Sequence, residues 1–238
     1  MNIGSYDNPY TVAEAQPSAR VAFIRNTYLH LAMAVMALIA VSAIVLQIPA
    51  MRSLGRSMTS GYMWLVVLGL FMVVSHIANK WAHSGASRST QYAGLGLYVL
   101  AQAIIFLPLL MVAQSFGASQ NKDFITQAGL ITVGLFLGLT AIAMLTKKDF
   151  SFLGSMLKVG MFVALGFIVA GVVFEFSLGL FFIVAMILLM AGSILYTTSN
   201  IMHHYSTTQH VAASLALLAS VATLFWYVLQ FVMSMSSD

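Results

Sequence analysis

Polar side chains that could do chemistry are few in this sequence, and most of them lie in one short stretch. Residues 196–200 read Tyr-Thr-Thr-Ser-Asn and close a long apolar segment. At helical spacing Ser193, Thr197 and Asn200 share one face. Ser220 belongs to a stripe of small residues just beyond the next loop. Within a membrane such groups either bond the carbonyls of their own helix or line a polar cavity, and the sequence leaves both interpretations open.

Charged side chains are almost absent from the apolar segments, so each one is a candidate for function. Lys158 is the one charge within such a segment, and no segment centre contains Asp or Glu. The Lys158 ammonium either extends back to the membrane surface or faces the protein interior. Glu175 interrupts a long apolar run and is interpreted as a solvated residue of a turn. The residues predicted to form a polar cavity are Thr197, Ser220, Asn200, Ser193 and Lys158.

The histidines all map to one predicted side of the membrane, where imidazole could bind a metal or respond to pH. They are His30, His76, His83, His203, His204 and His210. No His-x-x-x-His ligand pair lies on a single helix, so we interpret them as interfacial residues, with a pH response as the alternative. Cysteine, glycine-rich phosphate loops and HExxH motifs are absent from the sequence. The sequence therefore predicts a protein that is not an enzyme and binds no cofactor.

The elements that must position these side chains are apolar helices. Hydrophobic residues make up 61% of the 238, charged residues only 7%, and the mean hydropathy is +0.95. A soluble domain has about 25% charged residues. Seven segments approach the ~20 residues needed to cross a bilayer. They run near 27–49, 61–79, 91–115, 124–146, 152–174, 177–199 and 209–233. We therefore predict an all-α integral membrane protein, a seven-transmembrane-helix bundle in a lipid bilayer.

The distribution of lysine and arginine predicts the orientation of these helices, because cytoplasmic loops are richer in both residues. One side holds Arg20, Arg25, Lys80, Arg88, Lys147 and Lys148, and the other holds Arg52, Arg56 and Lys122. The N-terminus is thus predicted to be cytoplasmic and the C-terminus external. Residues 1–24 contain few large apolar groups and are predicted to be a flexible cytoplasmic tail, followed by a transmembrane domain over 25–238. The basic residues flank apolar segments and form no patch for nucleic acid.

Three segments, in order along the chain, are similar to motifs of a known family. They are 25–28 (Arg-Asn-Thr-Tyr), 148–154 (Lys-Asp-Phe-Ser-Phe-Leu-Gly) and 192–201 (Gly-Ser-Ile-Leu-Tyr-Thr-Thr-Ser-Asn-Ile). With them the sequence resembles the Bax-inhibitor-type (transmembrane Bax inhibitor motif) family, and most nearly its bacterial YccA-like branch. The resemblance implies a seven-helix bundle with the last helix near the centre. For that branch it also implies a protein of the bacterial inner membrane that associates with the membrane protease FtsH and restrains it.

Other branches of the family look like pH-sensitive calcium leak channels that use a pair of aspartates, and this sequence departs from that pattern. When the sequence is aligned with those branches on Thr198-Ser199 and on Leu224-Phe225, Thr197 and Ser220 occupy the acidic positions. A hydroxyl has no proton to lose near neutral pH, and Ca²⁺ prefers six or more oxygens, several of them from carboxylates. The predicted function is therefore a non-enzymatic modulator, an inhibitor, of an FtsH-type protease in membrane-protein quality control. The alternative is a pH-sensitive calcium or proton leak channel.

Overall fold

The described part of the chain folds into eight α-helices. The structure is a computed structural model, and it describes residues 11–83, 87–146 and 148–236. The helices are α1 (Pro17–Gln47), α2 (Pro49–Met58), α3 (Met63–Ala82), α4 (Arg88–Gln120), α5 (Phe124–Thr146), α6 (Leu153–Val173), α7 (Gly179–His203) and α8 (His210–Ser234). All except α2 are long and apolar enough to cross a membrane. The predicted all-α fold with seven transmembrane helices is confirmed.

The helix ends follow the apolar segments of the sequence closely. Helix α5 coincides with the predicted span, and α6 and α8 differ from theirs by one residue at each end. The predicted turn between α6 and α7 is centred on Glu175, which has a φ of 55°. The Phe176 N–H donates to the Gly171 carbonyl at 3.1 Å, as in a helix that ends with a left-handed residue. This turn makes α6 and α7 two separate spans.

The predicted flexible tail of residues 1–24 needs a correction in its second half. Helix α1 begins at Pro17, a residue type that suits the first helical turn. Before it, Val12 is fully buried, and its N–H donates to the Tyr205 carbonyl at 2.8 Å. The Arg20 Nε–H also donates to the Val12 carbonyl at 2.9 Å, so these contacts hold the segment although its average composition is polar. The first half of the predicted tail, residues 1–10, lies outside the described residues.

Helix α2 is not predicted by a search for long apolar segments, because it has only ten residues and includes Arg52 and Arg56. Its buried residues are Gly55 and Met58. A Cβ on Gly55 would lie 2.8 Å from the Met111 Sδ, so glycine allows α2 to pack closely on α4. Helix α2 therefore lies against the bundle between α1 and α3.

The core of the bundle is formed by α4 and α8. In their most apolar stretches 56% and 50% of the residues are buried, against 6% for α3 and for α6. Helix α8 packs against α1, α4, α5 and α7, which places the last helix near the centre, as the family resemblance implies. The end of the bundle where α1 begins is called the N-terminal side below, and the opposite end the C-terminal side.

Candidate functional site

A cavity of about 640 Å³ lies within the bundle, and five helices, α3, α4, α6, α7 and α8, contribute to its walls. Most of the lining side chains are apolar. Toward the C-terminal side the cavity ends at Trp64 of α3 and Trp226 of α8. Their rings are stacked with centroids 5.7 Å apart. The cavity thus runs from this aromatic pair toward the N-terminal side of the membrane.

The structure brings four of the five predicted cavity residues together. Lys158 of α6, Ser193 and Thr197 of α7, and Ser220 of α8 all line this cavity. Asn200 lies one turn farther along α7 and lines a different pocket, of about 410 Å³, on the N-terminal side. Asn200 therefore shares a helix face with Ser193 and Thr197 but contacts a different space.

The two serines connect α7 to α8. The Ser193 and Ser220 Oγ atoms lie 3.0 Å apart, and the Ser220 Oγ is 3.3 Å from the Ala216 carbonyl oxygen one turn earlier. Because the carbonyl only accepts, Ser220 donates to it and accepts from Ser193. The Ser220 hydroxyl therefore bonds a carbonyl of its own helix and also lines the cavity.

Lys158 carries the one charge among the described residues that line the cavity. Its side chain is exposed, and it lies in the second turn of α6 near the N-terminal side. Thr197 lies at a similar distance from the end of α7 and is 8% exposed. The cavity therefore has a positive end and an apolar end, with hydroxyl groups between them.

Gln102 is a lining residue that the sequence analysis missed. It lies in the middle of α4 with 4% of its surface exposed, and its Oε1 has no hydrogen-bond partner within the described chain. The only signal in the sequence is an amide in the apolar middle of the predicted span 91–115, whose other glutamines, Gln91 and Gln114, lie at its ends. A buried acceptor without a donor costs about 1–3 kcal/mol, so a polar side chain at this position lowers the stability of the fold.

Tyr196 separates the cavity from the pocket that contains Asn200, because its side chain lines both. The ring packs against the backbone of α6 at Gly154. A Cβ on Gly154 would lie 2.8 Å from the Tyr196 Cε2 and 3.1 Å from its hydroxyl oxygen. The last residue of the 148–154 motif is thus a glycine where the ring must approach the helix closely.

Two of the motifs that carry the family resemblance bind each other on the N-terminal side. The Phe150 N–H donates to the Ser199 Oγ at 2.9 Å. The same Oγ lies 3.4 Å from the Lys148 carbonyl oxygen and 3.4 Å from the Asp149 Oδ1. One buried hydroxyl therefore ties the loop between α5 and α6 to the end of α7.

Asp149 is the acidic residue of this loop. Its Oδ1 accepts from the Ser151 N–H at 2.9 Å, and its Oδ2 lies 3.4 Å from the His204 Nε2. The hydrogen bond from Ser151 is the main cause that lowers the pKa of the Asp149 carboxyl below its usual 3.8. The nearby His203 and His204 lower this pKa further when they are charged. Asp149 is therefore ionised at neutral pH and fixes the start of α6.

The histidines lie on the N-terminal side but in different groups. The His30 Nδ1 is 2.7 Å from the Asn26 carbonyl oxygen, so this nitrogen carries a proton, and its Nε2 is 3.0 Å from the Tyr92 hydroxyl. The His210 ring lies 4.9 Å from the His30 ring. Among the described residues, no three His, Cys, Asp or Glu side chains come together as a metal site requires.

Comparison with known proteins identifies the family. The family model described as inhibitor of apoptosis-promoting Bax1 matches residues 20–238. The modulator of FtsH protease YccA from Escherichia coli (strain K12) is 32% identical over 85% of each chain. Protein lifeguard 4 from Mus musculus is 26% identical over 92% of this chain and 88% of its own. The Golgi anti-apoptotic protein of vaccinia virus (strain Lister) is 26% identical over the same shares. This membrane-embedded chain therefore belongs to the family of the inhibitor of apoptosis-promoting Bax1.

Proposed function

We propose that the chain is a non-enzymatic membrane protein that modulates, as an inhibitor, an FtsH-type membrane protease. The observation that carries this proposal is the 32% identity, over most of both chains, to a protein named as a modulator of FtsH protease. Relatives with anti-apoptotic names are more distant, at 26% identity. We extend the proposal to a role in the control of membrane-protein degradation, which the name of the bacterial relative supports only as far as the protease.

The N-terminal side of the bundle offers a surface for such a partner. Three segments of the chain are held together there by backbone and side-chain bonds. Thr11 forms an isolated bridge with Ser206, the Val12 N–H bonds the Tyr205 carbonyl, and Phe150 is held by Ser199. A surface that is already ordered loses little conformational entropy when a protein binds it, which supports recognition at this side.

We place the chain in the bacterial inner membrane with its N-terminal side in the cytoplasm. The first part rests on a relative from Escherichia coli O6:H1 that is named as an inner membrane protein. The second rests on the excess of lysine and arginine on this side. With that orientation, the ordered surface faces the compartment where FtsH carries its ATPase ring.

The leak-channel alternative has less support from the cavity. Hydroxyls of Thr197 and Ser220 stand where a calcium path would need carboxylates, and Lys158 is the one charge of the described lining. A lysine repels a divalent cation, and two or three hydroxyls do not replace its hydration shell. The cavity therefore favours a protein that acts through its surface over one that conducts calcium.

Site-directed photocrosslinking in native membranes tests the proposal. Ser151 and Ser60 are exposed serines on the N-terminal and C-terminal sides, so they form a matched pair for a photoreactive residue. We expect a crosslink to FtsH from position 151 and none from position 60. Crosslinks from position 60 alone, or from neither position, would contradict the proposed partner surface.

A further inference from the structure

The 640 Å³ cavity is open to the bilayer between α3 and α6. The side chains at this opening are Met72 of α3 and Met161 and Phe162 of α6, which are 52%, 46% and 77% exposed. Helix α3 packs on α4, and α6 packs on α7. The two helices that flank the opening therefore belong to different helix pairs. A hydrocarbon chain can therefore enter from the membrane without passing through water.

The dimensions of the cavity limit the width of a molecule that can occupy it. Along α6 its lining extends from Gly154 to Ile168, which corresponds to about 21 Å at the helical rise. A volume of 640 Å³ over that length leaves a mean cross-section of about 30 Å². A helix about 10 Å wide needs about 80 Å², so a transmembrane segment of a partner is too wide. An extended hydrocarbon chain is narrow enough.

The walls suit a hydrocarbon chain. Methionines at 72, 161 and 186 have flexible side chains that adapt to an irregular apolar partner. The hydroxyls of Ser193 and Ser220 are already paired with each other, so they do not require a polar ligand. The Gln102 Oε1 is shielded from solvent by the protein itself, and a chain in the cavity removes no water from it.

The charge at one end of the cavity selects the head group. Lys158 lies toward the membrane surface, while the stacked pair of Trp64 and Trp226 lies at the apolar end. No acidic side chain is present among the described lining residues. An ammonium at this depth attracts an anion near the interface, where phospholipid phosphates are located.

We propose that this cavity binds one acyl chain of an anionic phospholipid, whose head group pairs with the Lys158 ammonium. The chain lies between α3 and α6 and extends toward Trp64 and Trp226. Thr197, at the depth of Lys158, is placed to donate a hydrogen bond to an ester carbonyl of the lipid. This site is independent of the proposed protease partner, because it faces the bilayer and not the surface on the N-terminal side.

Quenching of tryptophan fluorescence by brominated acyl chains tests the proposal in the full-length protein. The protein is reconstituted in phosphatidylcholine with a few mol% of brominated phosphatidylglycerol, or with the same amount of brominated phosphatidylcholine. Trp81→Phe removes the one tryptophan that does not line the cavity, so that emission comes from Trp64 and Trp226. We expect phosphatidylglycerol to quench this emission as strongly as if it were enriched about fivefold at the cavity. One lysine attracts an anionic lipid by about that factor.

Two matched variants decide the outcome. Lys158→Gln should reduce the quenching by phosphatidylglycerol to that by phosphatidylcholine, and Lys158→Arg should retain the difference. Lys80→Gln removes an exposed cation from the same side of the bundle and should leave the quenching unchanged. Equal quenching by the two lipids in the unmodified protein, or a Lys158→Gln variant with the full preference, would overturn the proposal.

Discussion

The Phe150 backbone N–H and the Ser199 Oγ form a hydrogen bond of 2.9 Å between residues that are 49 positions apart. Phe150 lies in the loop before α6, and Ser199 lies near the end of α7 with none of its surface exposed. Each residue belongs to a segment that carries the family resemblance. The two motifs are therefore the two halves of one contact, which holds the start of α6 against α7.

Replacing Ser199 with alanine should destabilise the bundle. The Phe150 N–H then lacks its acceptor in a half-buried position, which costs up to the ~1–3 kcal/mol of a fully buried donor. We expect a lower Tm in detergent for Ser199→Ala. Ser155→Ala is the control, because this exposed serine bonds only its own helix at the Phe152 carbonyl. Equal Tm values for the two variants would show that the contact between the motifs contributes nothing to stability.

The stability that Asp149 contributes should depend on pH in the acidic range. Its pKa is lowered in the folded protein, mainly by the hydrogen bond from Ser151, so the ionised form stabilises the fold. This contribution is present above the usual pKa of 3.8 and is lost as the pH falls through the lower pKa of the folded state. Tm measurements should show a gap between the unmodified protein and Asp149→Asn at pH 6 that narrows as the pH falls below 3.8. A gap that stays constant over this range would refute the assignment.

Glu175→Gly should stabilise the turn between α6 and α7. Glu175 has a φ of 55°, a left-handed conformation that costs a non-glycine residue about 1 kcal/mol. Glycine removes that cost, and we expect a small rise in Tm. Glu175→Ala separates the two causes, since it removes the charge but keeps the cost of the positive φ. If alanine raised the Tm as much as glycine, the charge and not the backbone would be responsible.

The transmembrane helices could be predicted from the sequence, because a run of about 20 apolar residues has few alternatives in a bilayer. Val12 and α2 could not be predicted that way. Each depends on a local contact with another part of the chain, Val12 with Tyr205 and Gly55 of α2 with α4. The average composition of a segment gives no information about such contacts. By composition alone, both segments are predicted to be polar loops.

The cavity could be predicted only in part. Ser193 and Thr197 share a helix face with Asn200, but only the first two line the 640 Å³ cavity. Asn200 does not line this cavity because the Tyr196 ring lies between the two spaces. The position of that ring against Gly154 is set by the packing of α6 against α7, which the sequence does not reveal. Which partner Ser220 takes depended on how α7 and α8 pack against each other.

The serine pair gives a direct test of the calcium alternative. Calcium flux into proteoliposomes should be small for the unmodified protein and should not change between about pH 6 and 8, because hydroxyls do not titrate there. The double variant Ser193→Asp with Ser220→Asp should create a titrating pair, since the two Oγ atoms are 3.0 Å apart and close carboxylates raise one pKa. Each single variant serves as a control. Strong, acid-gated calcium flux in the unmodified protein would contradict this account.

The most direct test of the central claim is the lifetime of a membrane-protein substrate of FtsH, followed by pulse-chase in bacterial cells. Production of the full-length chain should lengthen this lifetime when FtsH is present. In cells that lack FtsH the lifetime should be the same with and without the chain. A substrate that is degraded at an unchanged rate in cells with FtsH, although the chain is folded in the membrane, would contradict the proposed function.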